Sequence, residues 1–389
     1  MFYTLILAHA TLYINFFIQK GIFEKRIQDL DVILGVNSLL YLTILTSTSL
    51  ALVRRWSYRL FFVIHLVIGI GLPIILFFHA HHMRIYVVEA LTLFVIDVIM
   101  RKLDTVTSYA TITPIAHTKL VKVKIPISEE KIHRYHYAPG QHVYVNIPAG
   151  SRPAGTSPLS IHELLYNPYT IAEVSSKDIT LVLRALGGPT SKALSALTRL
   201  PKAKPPLNIE GPLGCTQHFP NFIAKYDKIL LIAGGVGATF TLPIYNALLA
   251  RLEAESSSPD RLKMIWTMRS AAEADWTSTS SINSDPNIEM FITHSRDDKD
   301  DHSQEPIPAD GSVELYELLP KEEEVVVNGT RARPDLGSIV DELFRSGKSE
   351  KVAVMVCGPG GLAREVRRHL GRWVGKGREV WFHDESFGL

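Results

Sequence analysis

The stretch KILLIAGGVGATF, residues 228–240, carries the strongest fold signal in this chain. Its first half is an uninterrupted apolar run, which is typical of a strand buried on both faces of a parallel sheet. Glycines at 234 and 235 end the run, and a helical pattern follows at 243–255. A buried strand, a glycine turn and a helix in this order predict a doubly wound α/β domain.

The glycine turn brings the first amides of a helix to the end of a strand, where an anion such as a phosphate binds well. The turn lacks the full G-x-G-x-x-G fingerprint of dinucleotide-binding proteins, so a plain strand-to-helix turn is the alternative. We favour a pyrophosphate site made by Gly234, Gly235, Gly237 and Thr239.

Two later segments, 262–269 and 351–360, predict further strands of the same sheet. Ligands of open α/β sheets bind at the carboxyl ends of the strands. Arg269 is therefore a candidate for the 2′-phosphate that distinguishes NADP from NAD, with a solvated surface charge as the alternative. Cys357 is a candidate for contact with a nicotinamide ring, with a buried structural cysteine as the alternative. Ser-, Asp- and Glu-rich stretches predict that much of 272–338 forms exposed insertion loops.

Upstream of this domain, three short runs alternate polar and apolar residues as half-buried strands do, at 118–127, 142–148 and 178–186. Gly, Pro and Ser residues separate the runs, which predicts an antiparallel barrel ending near residue 215.

Two motifs lie at strand ends of this barrel. Tyr169 and Thr170, in Asn-Pro-Tyr-Thr, could stack on a flat ring and donate a hydrogen bond to it, although a proline turn before a strand is the commoner explanation. Arg184 ends a strand and is followed by Gly-Gly-Pro-Thr at 187–190, where glycines and a helix N-terminus suit a phosphate. A plain turn is the alternative there as well.

Residues 1–100 are mostly apolar and predict four membrane helices, each near the ~20 residues that cross a bilayer. They run roughly over 2–18, 32–53, 60–79 and 85–100. No removable signal peptide is evident. Basic residues favour only weakly a cytosolic location for the part of the chain that follows.

Three histidines fall in these apolar stretches, His9, His65 and His79. Ionisable residues at membrane depth suggest function, and imidazole is a usual axial ligand of haem iron. His65 and His79 are nearly four helical turns apart, so one helix could serve two metal centres about 21 Å apart. The alternatives are a water-interface cluster around His79 and a hydrogen bond between helices at His65.

Composition excludes several other classes of protein. The 389 residues carry a net charge of +2, which argues against a nucleic-acid partner. The two cysteines, Cys215 and Cys357, exclude a disulfide scaffold and a four-cysteine metal site.

Taken in order, the motifs resemble the fungal ferric reductases of the ferric reductase / NADPH oxidase superfamily. The elements that carry the resemblance are YAPGQHVYVNIP (137–148), NPYTIA (167–172), LRALGGPT (183–190), IEGPLG (209–214), LLIAGGVGATF (230–240), VMVCGPGG (354–361) and VWFHDESFGL (380–389). The resemblance implies a transmembrane haem-binding domain at 1–103, an FAD-binding β-barrel at 104–216 and an NADPH-binding α/β domain at 217–389.

By this resemblance, electrons pass from NADPH through FAD and haem b to ferric or cupric ions outside the membrane. The implied residue roles fall into four groups. Flavin-ring contacts are Tyr169 and Thr170, and FAD-phosphate contacts are Arg184, Gly187, Gly188 and Thr190. NADPH contacts are Gly234, Gly235, Gly237, Thr239, Arg269, Cys357 and Gly358, while Phe387 shields the flavin until nicotinamide displaces it. Haem-iron ligands are His9, His65 and His79.

The sequence also departs from the family pattern. Asn167 and Tyr169 stand where relatives often have His and Phe. Family members have two histidines on each of two helices, and the partner of His9 would lie before Met1, so we expect a shortened chain. His9 and His79 would then hold the outer haem, while His65 would lack a second ligand.

The leading function is therefore a plasma-membrane, multi-pass ferric or cupric reductase whose FAD and NADPH domains are cytosolic. It would support iron uptake, with membrane lipid around its helices and an iron permease or oxidase partner left open. The alternatives are a superoxide-generating NADPH oxidase and a membrane flavoprotein without a working haem.

Overall fold

The computed structural model describes residues 2–136, 138–148, 151, 166–185, 189–198, 204–214, 219–277, 279–293, 329–345, 347 and 349–385. These residues belong to two compact units, 1–103 and 104–388. The further division of the second unit near residue 216 stays a prediction.

The first unit is helical, and its most extensive helix packing joins two long apolar helices. Its elements are α1 (Phe2–Gln19), α2 (Phe23–Arg26), α3 (Leu30–Thr48), α4 (Ala51–Trp56), α5 (Tyr58–His79) and α6 (Met83–Asp104). Helix α3 packs along α5 and also contacts α1. In the described part, two segments are long and apolar enough to cross a membrane by length and composition, Leu30–Thr48 and Leu60–His79.

The second predicted span, 32–53, is wrong as one continuous helix, because the chain turns at Ser49 and Leu50. Four hydroxyl residues precede or form this turn, and each bonds back to a carbonyl four residues earlier. Thr48 donates to Ile44 O at 2.6 Å and Ser49 donates to Leu45 O at 2.7 Å. Such back-bonding competes with the helical hydrogen bonds and favours a bend.

The second unit begins with an antiparallel sheet that curls nearly shut into a barrel, as predicted. Its strands are β1 (Val106–Tyr109), β2 (Thr111–Pro114), β3 (Leu120–Pro126), β4 (His142–Asn146), β5 (Asn167–Val174), β6 (Asp178–Arg184) and β7 (Pro206–Leu213). The order is β1–β7–β4–β5–β6–β3–β2. Ser108 of β1 donates to the carbonyl of Pro126, at the end of β3, at 2.5 Å, which helps to close the barrel.

Alternating residues of these strands fill the barrel. Val123, Ile125, Val143, Ile179 and Leu207 are almost completely buried, and they belong to one apolar cluster. Two short helices lie in the connections, α7 (Glu129–Ile132) and α8 (Pro189–Leu197).

The α/β part is a five-stranded parallel sheet, which confirms the predicted fold class. Its elements are α9 (Phe222–Lys225), β8 (Lys228–Gly234), α10 (Ala238–Ala254), β9 (Leu262–Met268), α11 (Thr279–Ser284), β10 (Ile288–Ile292), α12 (Leu336–Leu343), β11 (Val352–Cys357), α13 (Gly360–Val374) and β12 (Val380–Glu385). In the order β10–β9–β8–β11–β12, the strands that follow β8 are added on one side of it up to β10 and then, from β11, on its other side. This change of side makes the crevice beside β8 and β11 the expected ligand site of the sheet.

The prediction of exposed insertion loops over much of 272–338 is wrong at its start. Strand β10 pairs in parallel with β9, and the side chains of Glu273 and Trp276 are buried. Trp276 packs against Trp266 of β9 at a ring distance of 6.0 Å. Strand β10 was not predicted because polar stretches flank it in the sequence, and its burial comes from pairing with β9. Residues 294–328 lie outside the described part.

Candidate functional site

The glycine turn predicted to bind pyrophosphate lies in the crevice between β8 and β11. A Cβ at Gly237 would collide with the backbone carbonyl of Cys357. The glycine at 237 is therefore required by the close approach of two strand ends, whether or not a ligand is bound. Gly235 adopts a left-handed φ of 54°, and the first turn of α10 follows at Ala238. Backbone amides at this helix start are available to an anion.

Thr239 lies beneath this turn and is buried. Its hydroxyl donates to the carbonyl of Val236 at 2.9 Å, so the side chain stabilises the turn from inside. The predicted contact of Thr239 with pyrophosphate stays a prediction.

Cys357 ends β11 in the centre of the sheet edge. It is completely buried, between Ala233 of β8 and Glu385 of β12 in the strand register. Burial and the nearby Glu385 carboxylate raise the pKa of the thiol. Burial of this kind disfavours the thiolate and suits a packing contact.

The barrel meets this sheet edge at the start of β4. A Cβ at Gly140 would lie 2.9 Å from the ring of Phe240 in α10, so the two elements pack directly. His142 pairs with Thr170 across β4 and β5. Burial lowers the pKa of His142, and the Glu385 carboxylate opposes that shift. The barrel strand that carries Thr170 thus faces the edge that carries Cys357.

Glu385 and His383 were missed in the sequence, although the C-terminal segment 380–389 was singled out. The Nε2 atom of His383 lies 3.1 Å from Oε2 of Glu385. His383 also packs on Trp381 and Phe219, at ring distances of 5.8 and 4.9 Å. In VWFHDE an apolar and aromatic run ends in His383, Asp384 and Glu385, and titratable residues at the end of a strand could have indicated a site at that edge. Phe387 lies outside the described residues.

The two predicted flavin motifs of the barrel come together in space. Asn167 Nδ2 donates to Thr190 Oγ1 at 2.5 Å, which joins the first residue of β5 to the first turn of α8. Tyr169 packs against the barrel core, and burial raises its pKa to about 12. Gly187 and Gly188 lie outside the described residues, so their prediction has no structural counterpart here.

A cleft of about 380 Å³ opens beside the glycine turn. Arg184 of β6 reaches it from the barrel, and its Nη2 lies 3.4 Å from Oε1 of the buried Glu273. A Cβ at Gly235 would be 3.4 Å from both of these side chains. The lining residues are His117, Thr118, Lys119, Arg184, Arg269, Ser270 and Glu273. The structure therefore brings Arg184 and Arg269 to one cleft, and it places Arg184 beside the glycine turn.

Glu273 is the acidic residue of this cleft. Burial raises its pKa, while Arg184 and Arg269 act in the opposite direction. A buried carboxylate beside two guanidinium groups acts as their counterion. Nothing in the sequence pattern of 271–277 had marked Glu273 as buried.

In the helical unit, two of the three predicted haem ligands have the same hydrogen-bond pattern. His65 Nδ1 lies 2.9 Å from Phe61 O, and His79 Nδ1 lies 2.7 Å from Asp31 O. An Nδ1–H donated to a backbone carbonyl leaves Nε2 as the ligand atom, and in His65 this atom is already in contact with a hydroxyl, as the alternative of a hydrogen bond between helices would have it. His65 Nε2 lies 3.0 Å from Ser49 Oγ, and the His9 ring packs on Tyr13. In the described part of the chain, His, Cys, Asp and Glu form no group of three or more that could hold a metal ion.

Family comparison covers most of the chain. Residues 1–91 match the ferric reductase like transmembrane component, residues 105–217 match an FAD-binding domain, and residues 226–370 match the ferric reductase NAD binding domain. These domains define a flavin- and pyridine-nucleotide-binding oxidoreductase with a transmembrane component. The chain belongs to the ferric reductase family, as its motifs predict.

Individual relatives are similar at modest identity. A probable metalloreductase of Meyerozyma guilliermondii is 24% identical, and the match covers 91% of this chain and 68% of the relative. A mitochondrial ferric reduction oxidase of Arabidopsis thaliana is also 24% identical, over 82% of this chain and 42% of the relative. A superoxide-generating NADPH oxidase heavy chain subunit of Dictyostelium discoideum is 21% identical, over 96% and 55%. The chain thus spans between two fifths and about two thirds of the length of these relatives.

Proposed function

We propose that the protein takes hydride from NADPH on its soluble side and delivers single electrons through the helical unit to ferric or cupric ions on the other side of the membrane. FAD, when bound, supplies the change from two-electron to one-electron chemistry. The observation that supports this most directly is the meeting of β4 and β5 with the carboxyl edge of the parallel sheet. A flavin-binding strand and a nicotinamide-binding edge have to face each other for hydride transfer.

The residues at this meeting have separate tasks. Thr170 and Tyr169 would hold the flavin ring from the barrel side, with Thr170 opposite His142. Cys357, as a buried neutral thiol, would form the floor beneath the nicotinamide, together with Gly358. Phe387 would cover the flavin until the dinucleotide arrives.

The phosphate groups of the barrel ligand would bind near Thr190. Because Asn167 donates to Thr190 Oγ1, the hydroxyl hydrogen of Thr190 is free to donate to a phosphate oxygen. Arg184, which the resemblance assigns to these phosphates, pairs with Glu273 beside the glycine turn, where a dinucleotide is expected. We therefore assign its positive charge to the dinucleotide.

NADPH is favoured over NADH by the charge of the cleft. Two arginines, Arg184 and Arg269, face one carboxylate, Glu273, and leave a net positive charge beside the expected ribose. An acidic residue alone at this place would favour the ribose hydroxyls of NAD.

The helical unit fits haem ligation at His65 and His79. Both Nδ1 atoms are engaged by backbone carbonyls, as in haem-ligating histidines. Gly35 of α3 makes room for the His79 ring, since a Cβ there would lie 2.5 Å from Cε1 of His79. His79 would then be a ligand of the outer haem together with His9, and His65 would serve the inner one. Haem b, when bound, would carry single electrons between the flavin and the metal substrate. A plasma membrane with the second unit (residues 104–388, hereafter the soluble unit) in the cytosol agrees with this direction of electron transfer.

A superoxide-generating activity is the second candidate, because one relative carries that description. The two functions use the same soluble unit and differ in the final acceptor. Product identity separates them.

The test uses the purified full chain with FAD and haem supplied. Anaerobic addition of NADPH should bleach the flavin and then reduce a b-type haem, and ferric chelate should reoxidise both. In air, a ferrous-chelator signal that superoxide dismutase leaves unchanged supports the metal reductase. A signal that superoxide dismutase abolishes supports the oxidase, and flavin bleaching without a haem change contradicts electron transfer to haem in this chain.

Nucleotide preference is tested with Arg269→Gln. We expect kcat/KM for NADPH to fall about tenfold and kcat/KM for NADH to stay within twofold, because one charge-assisted phosphate contact is lost. Arg251→Gln is the matched control, since Arg251 lies at the far end of α10 and pairs with Glu255. Equal losses for both nucleotides would remove Arg269 from the 2′-phosphate site.

A further inference from the structure

One wall of the cleft belongs to the barrel, and nothing in the proposed function uses it. This wall is the turn between β2 and β3, which carries His117, Thr118 and Lys119. His117 has a φ of 58°, a left-handed conformation that costs free energy for a residue with a Cβ. Such a conformation persists only where its surroundings impose it, and it is found disproportionately at ligand sites.

Hydrogen bonds hold the turn in a single shape. Thr118 Oγ1 donates to Ile115 O at 2.9 Å and accepts from Leu120 N at 3.0 Å. Ile115 N donates to Leu120 O at 3.0 Å across the base of the turn. The tip at His117 is therefore fixed and exposed at the cleft.

The cleft brings together two cations from neighbouring chain segments, Lys119 and Arg184, which both line it. Leu120 is the register partner of Arg184, and Ala185 N donates to Lys119 O at 2.8 Å. Like charges on neighbouring strands are destabilising unless an anion compensates them. Glu273 compensates Arg184, whereas the exposed ammonium of Lys119 makes no ion pair within the described chain.

The opposite wall of the cleft, at the end of β9, also carries a positive charge and a hydroxyl donor, on Arg269 and Ser270. Arg269 is exposed, and Glu273, the one carboxylate among the described lining residues, is already paired with Arg184. Ser270 Oγ accepts from Ala272 N at 3.4 Å, so its hydroxyl hydrogen remains free to donate. Donors and positive charges from two walls thus face one cleft, and a dianionic phosphate is the chemical group that such a set binds.

We propose that the turn His117–Lys119 is the second half of the 2′-phosphate site, so that the phosphate of NADPH is held between Arg269 and Ser270 on the sheet side and Lys119 and His117 on the barrel side. This rests on the proposed use of NADPH. The choice of NADPH over NADH is then made jointly by the two parts of the soluble unit. Lys119 is a specificity residue here, and it has no part in hydride transfer.

The first experiment measures binding of 2′,5′-ADP and of 5′-AMP to the purified full chain by calorimetry. These probes differ only in the 2′-phosphate. In Lys119→Gln we expect the Kd of 2′,5′-ADP to rise about fivefold, which is modest because the lysine is exposed, and the Kd of 5′-AMP to change less than twofold. His117→Gly, which keeps the left-handed conformation, should raise the Kd of 2′,5′-ADP about twofold.

Lys177→Gln is the matched control, because Lys177 is an exposed lysine of the same barrel at the opposite end of β3 and β6. It should leave both probes unchanged. Equal weakening of both probes by Lys119→Gln, or loss of FAD with no change for 2′,5′-ADP, would overturn the proposal. It also falls if the wild-type chain binds 2′,5′-ADP no more tightly than 5′-AMP.

Hydride transfer is read separately, by anaerobic flavin bleaching with NADPH. A chain that discriminates between the two probes but shows no bleaching keeps this phosphate site and loses the proposed reductase function. A chain that bleaches with NADPH but is insensitive to Lys119→Gln keeps the reductase function and loses this site.

Discussion

Among the described residues of the helical unit, three apolar side chains are buried, Phe17, Ile68 and Val87. The soluble unit instead forms three apolar clusters, one inside the barrel and one on each face of the parallel sheet. Helices with so much exposed apolar surface need an apolar solvent. The contrast indicates that lipid provides for the helical unit the burial that the soluble unit provides for itself.

The candidate sites of the two units differ in the same way. His65 and His79 lie on one helix, and each is oriented by a hydrogen bond from Nδ1 to a backbone carbonyl, with a further contact of His65 to Ser49. The soluble site is assembled from the ends of β4, β6, β8, β9 and β11, which are far apart in sequence. The first site therefore depends on individual side chains, and the second depends on how closely backbones approach.

The strongest test of this contrast removes one side chain from the helical unit. In His79→Ala we expect the b-type haem absorbance to fall by about half while far-UV circular dichroism stays unchanged, because His79 would ligate the outer haem and His65 the inner one. His81→Ala is the control, since His81 is exposed in the next turn and should keep the absorbance. Equal spectra for the two variants would contradict ligation by His79.

The second test adds one methyl group to the soluble unit. Gly237→Ala should destabilise the soluble unit by about 3 kcal/mol, because the new Cβ collides with the Cys357 carbonyl. Gly371→Ala should be neutral or slightly stabilising, because a Cβ at that position in α13 has open space around it. Denaturant unfolding followed by tryptophan fluorescence measures both. A Gly237→Ala variant as stable as wild type would show that backbone approach is not limiting.

The third test removes a side-chain contact from the soluble site. Asn167→Ala should weaken FAD binding about fivefold, since the Thr190 hydroxyl loses the donor that orients it. Titration of flavin fluorescence gives the dissociation constant, and Asn167→His, the residue frequent in relatives, should restore most of the affinity. If Asn167→Ala binds FAD as wild type does, Thr190 is oriented by other means.

The smallest expected effect concerns pH. Burial lowers the pKa of His142 in the folded protein, so the unfolded chain takes up a proton first as the pH falls. Stability that is fully present above the ordinary histidine pKa of about 6.5 is therefore lost as the pH falls below it. Between pH 7.5 and 5.5, His142→Gln should lose about 2 °C less in Tm than wild type. An equal fall in Tm for the variant and the wild type would contradict a buried neutral imidazole at His142.

Sequence periodicity was sufficient where burial is two-sided. The apolar run from Lys228 became β8, and the segments at 262–269 and 351–360 became β9 and β11. A strand between two others must be apolar throughout, so its pattern does not depend on distant residues. Edge strand β10 is short, carries Glu289 and lies between polar stretches, so this rule did not find it.

Site residues whose role comes from distant neighbours could not be predicted. Glu273 looks like a surface carboxylate in the sequence, and only the approach of Arg184 from the barrel makes it a buried counterion. Lys119 could not be predicted for the same reason, since only the folded cleft brings it close to Arg184. The glycine turn was predicted because glycines suit a phosphate ligand. The structure shows that Gly237 is also needed because a Cβ there would collide with the carbonyl of Cys357.

The pairing of β1 with β7 has a consequence for biosynthesis. Val106 of β1 pairs with Ile209 of β7. The first barrel strand to leave the ribosome therefore cannot pair until the last one has been synthesised. At about 5–20 residues per second, that wait lasts on the order of 5–20 s. During this time the apolar strands have no completed barrel to enter, directly after the apolar helices have emerged. The barrel core can therefore close only after β7 has left the ribosome.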